Sequence, residues 1–94
     1  AWCGTVGHKT SMGLVSRAGV VPLALHFDTI GPLARTVRDA AVMSQVLLGS
    51  DPADPSTEGA PGLDLVSGLE AGVRGLTLGV LAIDPDIAVD DGVA

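Results

Sequence analysis

The chain has 94 residues, is 47% hydrophobic and 17% charged, and carries a net charge of −6. A chain this apolar is not a disordered tail, and its length allows at most one small domain. Five basic residues against eleven acidic ones argue against nucleic acid or an anionic membrane surface as a partner, because both attract clustered Lys and Arg. No apolar run approaches the roughly 20 residues of a membrane span, so we expect no membrane and a cytoplasmic location.

The scarcity of cysteine and of aromatic residues narrows the class of protein further. Cys3 is the single cysteine, which excludes an internal disulfide and fits a reducing compartment. Trp2 and Phe27 are the two aromatic residues, so the core must be built from aliphatic side chains, as in buried α/β proteins. Because the chain starts at Ala1 and residues 90–94 resemble a helix that has only begun, we expect an internal piece of a longer protein.

The first segment, residues 1–35, is predicted to form short strands and turns. Glycine recurs beside β-branched residues in 4–7, 13–16 and 19–22, where it supplies backbone freedom at bends. Residues 27–30 are expected to add another short extended piece, closed by a Gly-Pro pair.

The second segment, residues 36–49, is predicted to be a helix. Thr36 is a suitable N-cap, Asp39 completes a capping-box-like pair, and Gly49 follows the last turn. Apolar residues surround this helix on nearly all sides, with Ser44 as the polar exception on its main apolar face. Such a helix must be covered by other elements.

The remaining residues form a connection, 50–72, and then a strand and the start of a helix, 73–94. The near-continuous apolar run 76–81 is typical of a parallel strand covered on both faces, and a second helix is expected near Ile87 or Val89. The aspartates of 51–64 and 84–91 are interpreted as a solvated surface. A doubly covered strand and a buried helix need neighbours, so the predicted class is α/β.

Three stretches of the sequence follow one another in a fixed order. The first is the turn Ala-Trp-Cys-Gly at 1–4, and the second is Gly-His-Lys-Thr-Ser-Met-Gly-Leu-Val-Ser-Arg-Ala-Gly-Val-Val-Pro at 7–22. The third is Asp-Thr-Ile-Gly-Pro-Leu-Ala-Arg-Thr-Val-Arg-Asp-Ala at 28–40. Together they resemble the amidase signature family, whose Asp-Thr-x-Gly-Pro-x-Ala-Arg-Thr-Val-x-Asp-Ala pattern the third stretch matches without a gap. The matching positions expected to be structural are Cys3, Gly7, Lys9, Gly13, Gly19, Pro22, Asp28, Gly31, Pro32, Arg35 and Asp39.

The resemblance implies an α/β/α sandwich with a mixed central sheet covered by helices, and this chain as one partial domain of it. It also implies a Ser-Ser-Lys mechanism that cleaves a carboxamide to a carboxylate and ammonia or an amine. In the family these catalytic residues lie upstream of Ala1, so we expect no catalytic residue in this chain and no activity of the chain alone. No cofactor is expected, the partner is a small-molecule amide, and a homodimer is left open.

Two positions depart from the family pattern. Thr10 stands where the family has proline after lysine, which we expect to weaken the local turn. His26 stands where the family often has serine, two residues before the Asp-Thr pair. Because the corresponding family loop approaches the catalytic serines, His26 is a candidate for the substrate pocket, against the plainer interpretation of a surface histidine.

The sequence gives weaker support for other catalytic or metal-binding groups within this chain. Lys9 and Ser11 as a Ser/Lys pair would lie roughly 6.5–7 Å apart along a strand, too far for proton transfer. Cys3 is interpreted as packed in a turn rather than as a thiol nucleophile beside a histidine. Asp28 and Arg35 are expected to brace the Gly-Pro turn through charge-assisted hydrogen bonds. The aspartates lack the spacing of a calcium loop, and no metal site is predicted.

Two rival functions stay open. One is the A-type subunit of a glutamine amidotransferase that modifies charged tRNA, although that group tends to have Ser-Ser-Leu-Asp-Gln where this chain has Leu-His-Phe-Asp-Thr at 25–29. The other is a non-catalytic scaffold with the same fold.

Overall fold

The computed structural model describes residues 2–80, which contain two short strands, one helix and one 3₁₀ turn. Strand β1 spans Val6–Gly7, strand β2 spans Leu33–Ala34 and helix α1 spans Val37–Leu47. The 3₁₀ turn spans Pro55–Thr57. Strand and helix pack on each other, so the chain is α/β at this level.

The two strands pair antiparallel, with Val6 opposite Ala34 and Gly7 opposite Leu33. The pairing continues past the strand ends, because the His8 N–H donates to the Pro32 carbonyl at 3.1 Å. The approach is so close at Gly31 that a Cβ there would lie 1.8 Å from the His8 carbonyl oxygen. Only glycine fits at this position, which explains the Gly-Pro pair that precedes β2.

Helix α1 begins as its sequence predicts. Thr36 has an extended backbone, and its Oγ1 accepts the Asp39 N–H at 3.1 Å, which satisfies one of the free N–H groups of the first turn. At the other end the Leu48 N–H donates to the Ser44 carbonyl at 2.9 Å. The helix therefore lies within the predicted range 36–49.

The middle of the chain closes against the end of α1. Val15 forms an isolated bridge with Leu48, and the Gly49 N–H donates to the Leu14 carbonyl at 3.1 Å. In the described residues Val15 and Ala40 are the buried apolar side chains, so the core is thin. Much of the order instead comes from buried polar groups, which are Thr10, Ser44, Asp54 and Thr57.

The structure differs from the predicted elements in two places. Residues 27–30 form a turn followed by irregular chain, not an extended piece, because the N–H groups of Phe27 and Asp28 both donate to the Ala24 carbonyl. Residues 76–80 form no strand, and Leu78 and Val80 are 80% and 93% exposed. No described strand pairs with them, and a strand gains its hydrogen bonds only from a neighbour. Leu81 and the helix expected near Ile87 lie outside the described residues.

Several apolar side chains lie open to solvent. Trp2, Leu23 and Val21 are exposed at 95%, 95% and 89%, and Val46 on α1 at 77%. The expected cover for α1 is thus not provided by residues 2–80. Within that range no helix is both long enough and apolar enough to cross a membrane.

Candidate functional site: a clamped loop and its cavity

Arg17 joins three parts of the chain. Its backbone N–H donates to Asp54 Oδ2 at 2.8 Å, and its Nε lies 3.5 Å from the same oxygen. Its Nη2 donates to Ser56 Oγ at 3.1 Å, and its Nη1 donates to the Leu25 carbonyl oxygen. We call these four residues, Arg17, Leu25, Asp54 and Ser56, the Arg17 clamp. The planar guanidinium suits this role because its donors diverge in fixed directions.

Asp54 is the anchor of the clamp and is only 8% exposed. Its Oδ1 accepts from the backbone N–H and the hydroxyl of Ser56, at 3.1 and 2.7 Å. The Arg17 backbone N–H, then the Ser56 hydroxyl, lower the pKa of Asp54 to about 2. Hydrogen bonds to the charged form outweigh the opposing effect of desolvation here.

Asp51 belongs to the same loop. Its Oδ2 accepts the Ser16 hydroxyl at 2.6 Å, and this bond, followed by the Ala53 N–H, holds the pKa of Asp51 below its usual value. Buried Thr57 ties the loop further, since its Oγ1 accepts the Asp51 N–H at 2.8 Å and donates to the Asp54 carbonyl at 2.8 Å. The interpretation of these aspartates as a solvated surface is therefore wrong for Asp54, which is a buried structural acceptor.

A cavity of about 350 Å³ lies between the loop that follows Arg17 and the Ala53–Asp54 turn. We call it the loop cavity. Its aliphatic lining comes from Val20, Val21, Pro22, Leu23, Leu25 and Ile30. Charged lining is limited to Arg17, Asp28 and Asp54, with Thr29 as an uncharged polar group. Pro22 and Asp28 are the predicted motif residues that line this cavity.

Asp28 closes the loop from the other side. Its Oδ2 accepts the N–H groups of Leu23 and Ala24 at 2.8 and 2.9 Å. The expectation that Asp28 and Arg35 together brace the Gly31-Pro32 turn is not what the structure shows. Asp28 bonds backward to the loop, and exposed Arg35 makes no hydrogen bond within residues 2–80. Thr10 fastens that turn instead, because its buried hydroxyl donates to the Ile30 carbonyl at 2.9 Å. A proline could not supply this bond.

The other candidate side chains lie apart from one another. His26 is exposed and lines none of the described cavities. Cys3 is exposed in a turn rather than packed. Lys9 Nζ contacts the Thr10 carbonyl at 3.4 Å and not the Ser11 hydroxyl. Residues 2–80 also hold no group of three or more His, Cys, Asp or Glu side chains that could bind a metal.

The predicted glycines have distinct roles. Gly13 has φ +84°, and a Cβ there would lie 2.7 Å from the Ser56 carbonyl oxygen, so this glycine lets the chain pass beside the clamp. Gly19 has φ +80° with open space around its Cβ position, so it serves the turn alone.

One contact is not foreseen from the sequence. His8 Nδ1 lies 2.6 Å from Ser44 Oγ, and Ser44 is fully buried. The available signal is the single polar residue on the apolar face of α1, which requires a partner. Its partner lies 36 residues away, so spacing along the chain could not identify it.

These features define an α/β segment whose clamped loop borders an apolar cavity. The family model described as Amidase matches residues 1–94, so the chain belongs to the Amidase family. No solved structure gives a significant match.

Curated relatives agree with the family. The A-type subunit of glutamyl-tRNA(Gln) amidotransferase from Rubrobacter xylanophilus is 46% identical over 81 residues, which cover 86% of this chain and 17% of the relative. A protein of the same name from Acidobacterium capsulatum is 42% identical over 93 residues, covering 93% of this chain and 20% of the relative. One from an Anaeromyxobacter species is 48% identical over 80 residues, covering 85% and 16%. The chain thus spans about a sixth to a fifth of the length of these relatives.

Proposed function

We propose that the full-length protein containing this chain hydrolyses a carboxamide, giving a carboxylate and ammonia or an amine. The observation that carries the proposal is the match of the Amidase family over the whole chain. No cofactor enters the proposal. The partner is a small-molecule amide, while the homodimer and the cytoplasmic location stay predictions.

The catalytic groups are proposed to lie outside this chain. In residues 2–80 the lysine side chain, Lys9, is not within hydrogen-bond distance of a serine hydroxyl, so a Ser-Ser-Lys arrangement is not found there. The described segment has a scaffolding character, with its polar side chains bonded to its own backbone. We therefore propose that residues 1–94 alone are inactive, and that they form one part of an α/β/α sandwich whose remaining elements cover α1.

A second candidate is one component of a glutamine amidotransferase. The names of the curated relatives favour it, at 42–48% identity. Those names include a charged tRNA, so they do not support the expectation that nucleic acid is excluded. The residues at 25–29 still differ from the pattern expected of that group, which is why the simple amidase is placed first.

His26 is proposed to contact the substrate, although it borders no cavity in this segment. Its exposure leaves the imidazole free to face residues contributed from elsewhere in the protein. Replacing it, His26→Ser, in the full-length protein should change kcat/KM for some amides and not others. Unchanged kinetics over several amides would remove His26 from the site.

The proposed function is tested by measuring ammonia release from simple carboxamides and from glutamine. The full-length protein is compared with residues 1–94 alone, which should release none. Release from simple carboxamides supports the amidase. Release from glutamine that depends on added partner proteins and glutamyl-tRNA supports the amidotransferase, and silence in both assays favours a non-catalytic scaffold.

A further inference from the structure

We propose that the loop cavity binds an apolar, uncharged group of the carboxamide substrate, and that the Arg17 clamp positions the cavity wall. The proposal rests on the proposed hydrolase function and adds the substrate class. The cavity volume, about 350 Å³, lies within the range of roughly 300–1,000 Å³ usual for small-molecule pockets.

The charged groups of the lining are already engaged within the protein. The Arg17 guanidinium donates to Ser56 Oγ and to the Leu25 carbonyl, and it forms an ion pair with Asp54. Asp28 Oδ2 accepts two backbone N–H groups. None of these side chains can turn toward a ligand without losing its present partners, and unmade hydrogen bonds in such places are costly.

The balance of charge around the cavity also favours an uncharged ligand. The lining contains two carboxylates, those of Asp28 and Asp54, and one guanidinium, that of Arg17. An anionic ligand would meet an excess of negative charge, and a cation would compete with Arg17 for Asp54. A neutral ligand is therefore favoured, with Thr29 as the uncharged side chain able to hydrogen-bond to it.

The rest of the lining is aliphatic and already exposed, since Leu25 is 64% and Val20 51% exposed. Covering these side chains with an alkyl group removes apolar surface from water, which stabilises the complex by an amount that grows with each methylene. The cavity thus selects for amides that carry a hydrocarbon chain.

The position of this wall depends on Arg17. Leu25 and Asp54 both line the cavity, and the guanidinium joins them by donating to the Leu25 carbonyl and by pairing with the Asp54 carboxylate. Without the Arg17 guanidinium, the loop that carries Leu25 is held only by the hydrogen bonds of its own turns and by the two backbone N–H groups that donate to Asp28. Arg17 is therefore a positioning residue that acts through the loop.

The first test uses the full-length protein and a series of straight-chain carboxamides from acetamide upward. Each added methylene should raise kcat/KM about three- to fourfold while the chain still fits, as expected from about 0.8 kcal/mol per buried CH₂. Ala18 also lines the cavity, and the variant Ala18→Phe, which fills it, should abolish this rise. The control Ala71→Phe places the same ring on an exposed loop residue that lines no described cavity.

The second test uses Arg17→Met, with two further variants. Arg17→Lys keeps the charge, and Ser56→Ala removes the hydroxyl that bonds to both Arg17 Nη2 and Asp54 Oδ1. We expect KM for long amides to rise at least threefold with little change in kcat, and hydrogen exchange at the Leu23, Ala24 and Phe27 amides to accelerate. Arg38→Met, at an exposed helix position, is the control.

The outcomes distinguish a failure of the proposed hydrolase function from a failure of the cavity assignment. A wild-type protein that hydrolyses no carboxamide refutes the proposed function. An active wild type with no rise along the series, or with Ala18→Phe and Arg17→Met indistinguishable from their controls, overturns the cavity assignment alone. If the remainder of the full-length chain fills the cavity, Ala18→Phe will impair folding and acetamide hydrolysis alike, which also overturns it.

Discussion

The imidazole of His8 and the hydroxyl of Ser44 form a hydrogen bond of 2.6 Å between the end of β1 and the buried face of α1. Ser44 has no exposed surface, so this hydroxyl has no water to replace its partner. The contact satisfies the polar group that interrupts the apolar face of the helix. It also fixes the position of α1 against the strands, where apolar contact is sparse.

Removing either partner should therefore destabilise the full-length protein. Ser44→Ala is expected to lower the free energy of unfolding by roughly 1–3 kcal/mol, since it leaves a part-buried imidazole nitrogen without its acceptor or donor. The measurement is denaturant unfolding. Ser50→Ala, at an exposed position, is the matched control and should change the free energy by less than about 0.5 kcal/mol. Equal effects of the two substitutions would contradict a structural role for the bond.

Gly31 should tolerate no side chain. Gly31→Ala would place a Cβ 1.8 Å from the His8 carbonyl oxygen, so the strand ends must separate. We expect a loss of roughly 1–3 kcal/mol or a failure to fold, as for other overpacked sites. Gly62→Ala introduces the same methyl group where no atom lies within 4 Å and φ is not positive, and should be close to neutral in the same unfolding assay. A stable Gly31→Ala protein would refute the close approach.

Gly13 and Gly19 separate backbone strain from steric contact. Both have positive φ, which costs an alanine roughly 1–2 kcal/mol. Gly13→Ala adds a contact of 2.7 Å with the Ser56 carbonyl, whereas Gly19→Ala meets nothing. Unfolding measurements should therefore rank Gly13→Ala as the more destabilising. The reverse order would show that Gly13 does not pass beside the clamp.

The Asp54 carboxylate makes stability depend on acid pH. Its pKa falls from 3.8 to about 2 on folding, so the unfolded chain binds protons more readily than the folded chain as pH falls. The stabilisation is complete above pH of about 4 and is lost as pH falls through about 2. Asp51 contributes in the same direction. Unfolding measured from pH 6 to pH 2 should show a smaller decline for Asp54→Asn than for wild type, with Glu58→Gln, an exposed carboxylate in the same loop, as control. Parallel declines in wild type and Asp54→Asn would contradict the assignment.

Local signals are enough for some of this structure. Thr36 and Gly49 bracket α1 because capping depends on residues adjacent in the chain. The role of Asp54 cannot be seen in the same way, because its main partner, Arg17, lies 37 residues earlier. The apolar run at 76–80 predicts a strand, yet a run of this kind forms a strand only beside another one.

The family motif likewise predicts some features of the structure and not others. The fixed order of glycines indicates the Amidase family, which the whole-chain match confirms. It does not indicate that Asp28 bonds to Leu23 and Ala24 rather than bracing the turn with Arg35. It also does not indicate that Thr10 replaces the family proline with a hydrogen bond to Ile30. Tertiary contacts determine these hydrogen-bond partners, and a sequence motif of fixed spacing carries no information about such contacts.

The most direct test of the proposed hydrolase function is ammonia release by the full-length protein from a panel of simple carboxamides, with residues 1–94 alone as the comparison. We predict release by the full-length protein, increasing with the length of the alkyl chain, and none by the shorter chain. Silence of the full-length protein over the whole panel, with its fold intact, would contradict the proposed function.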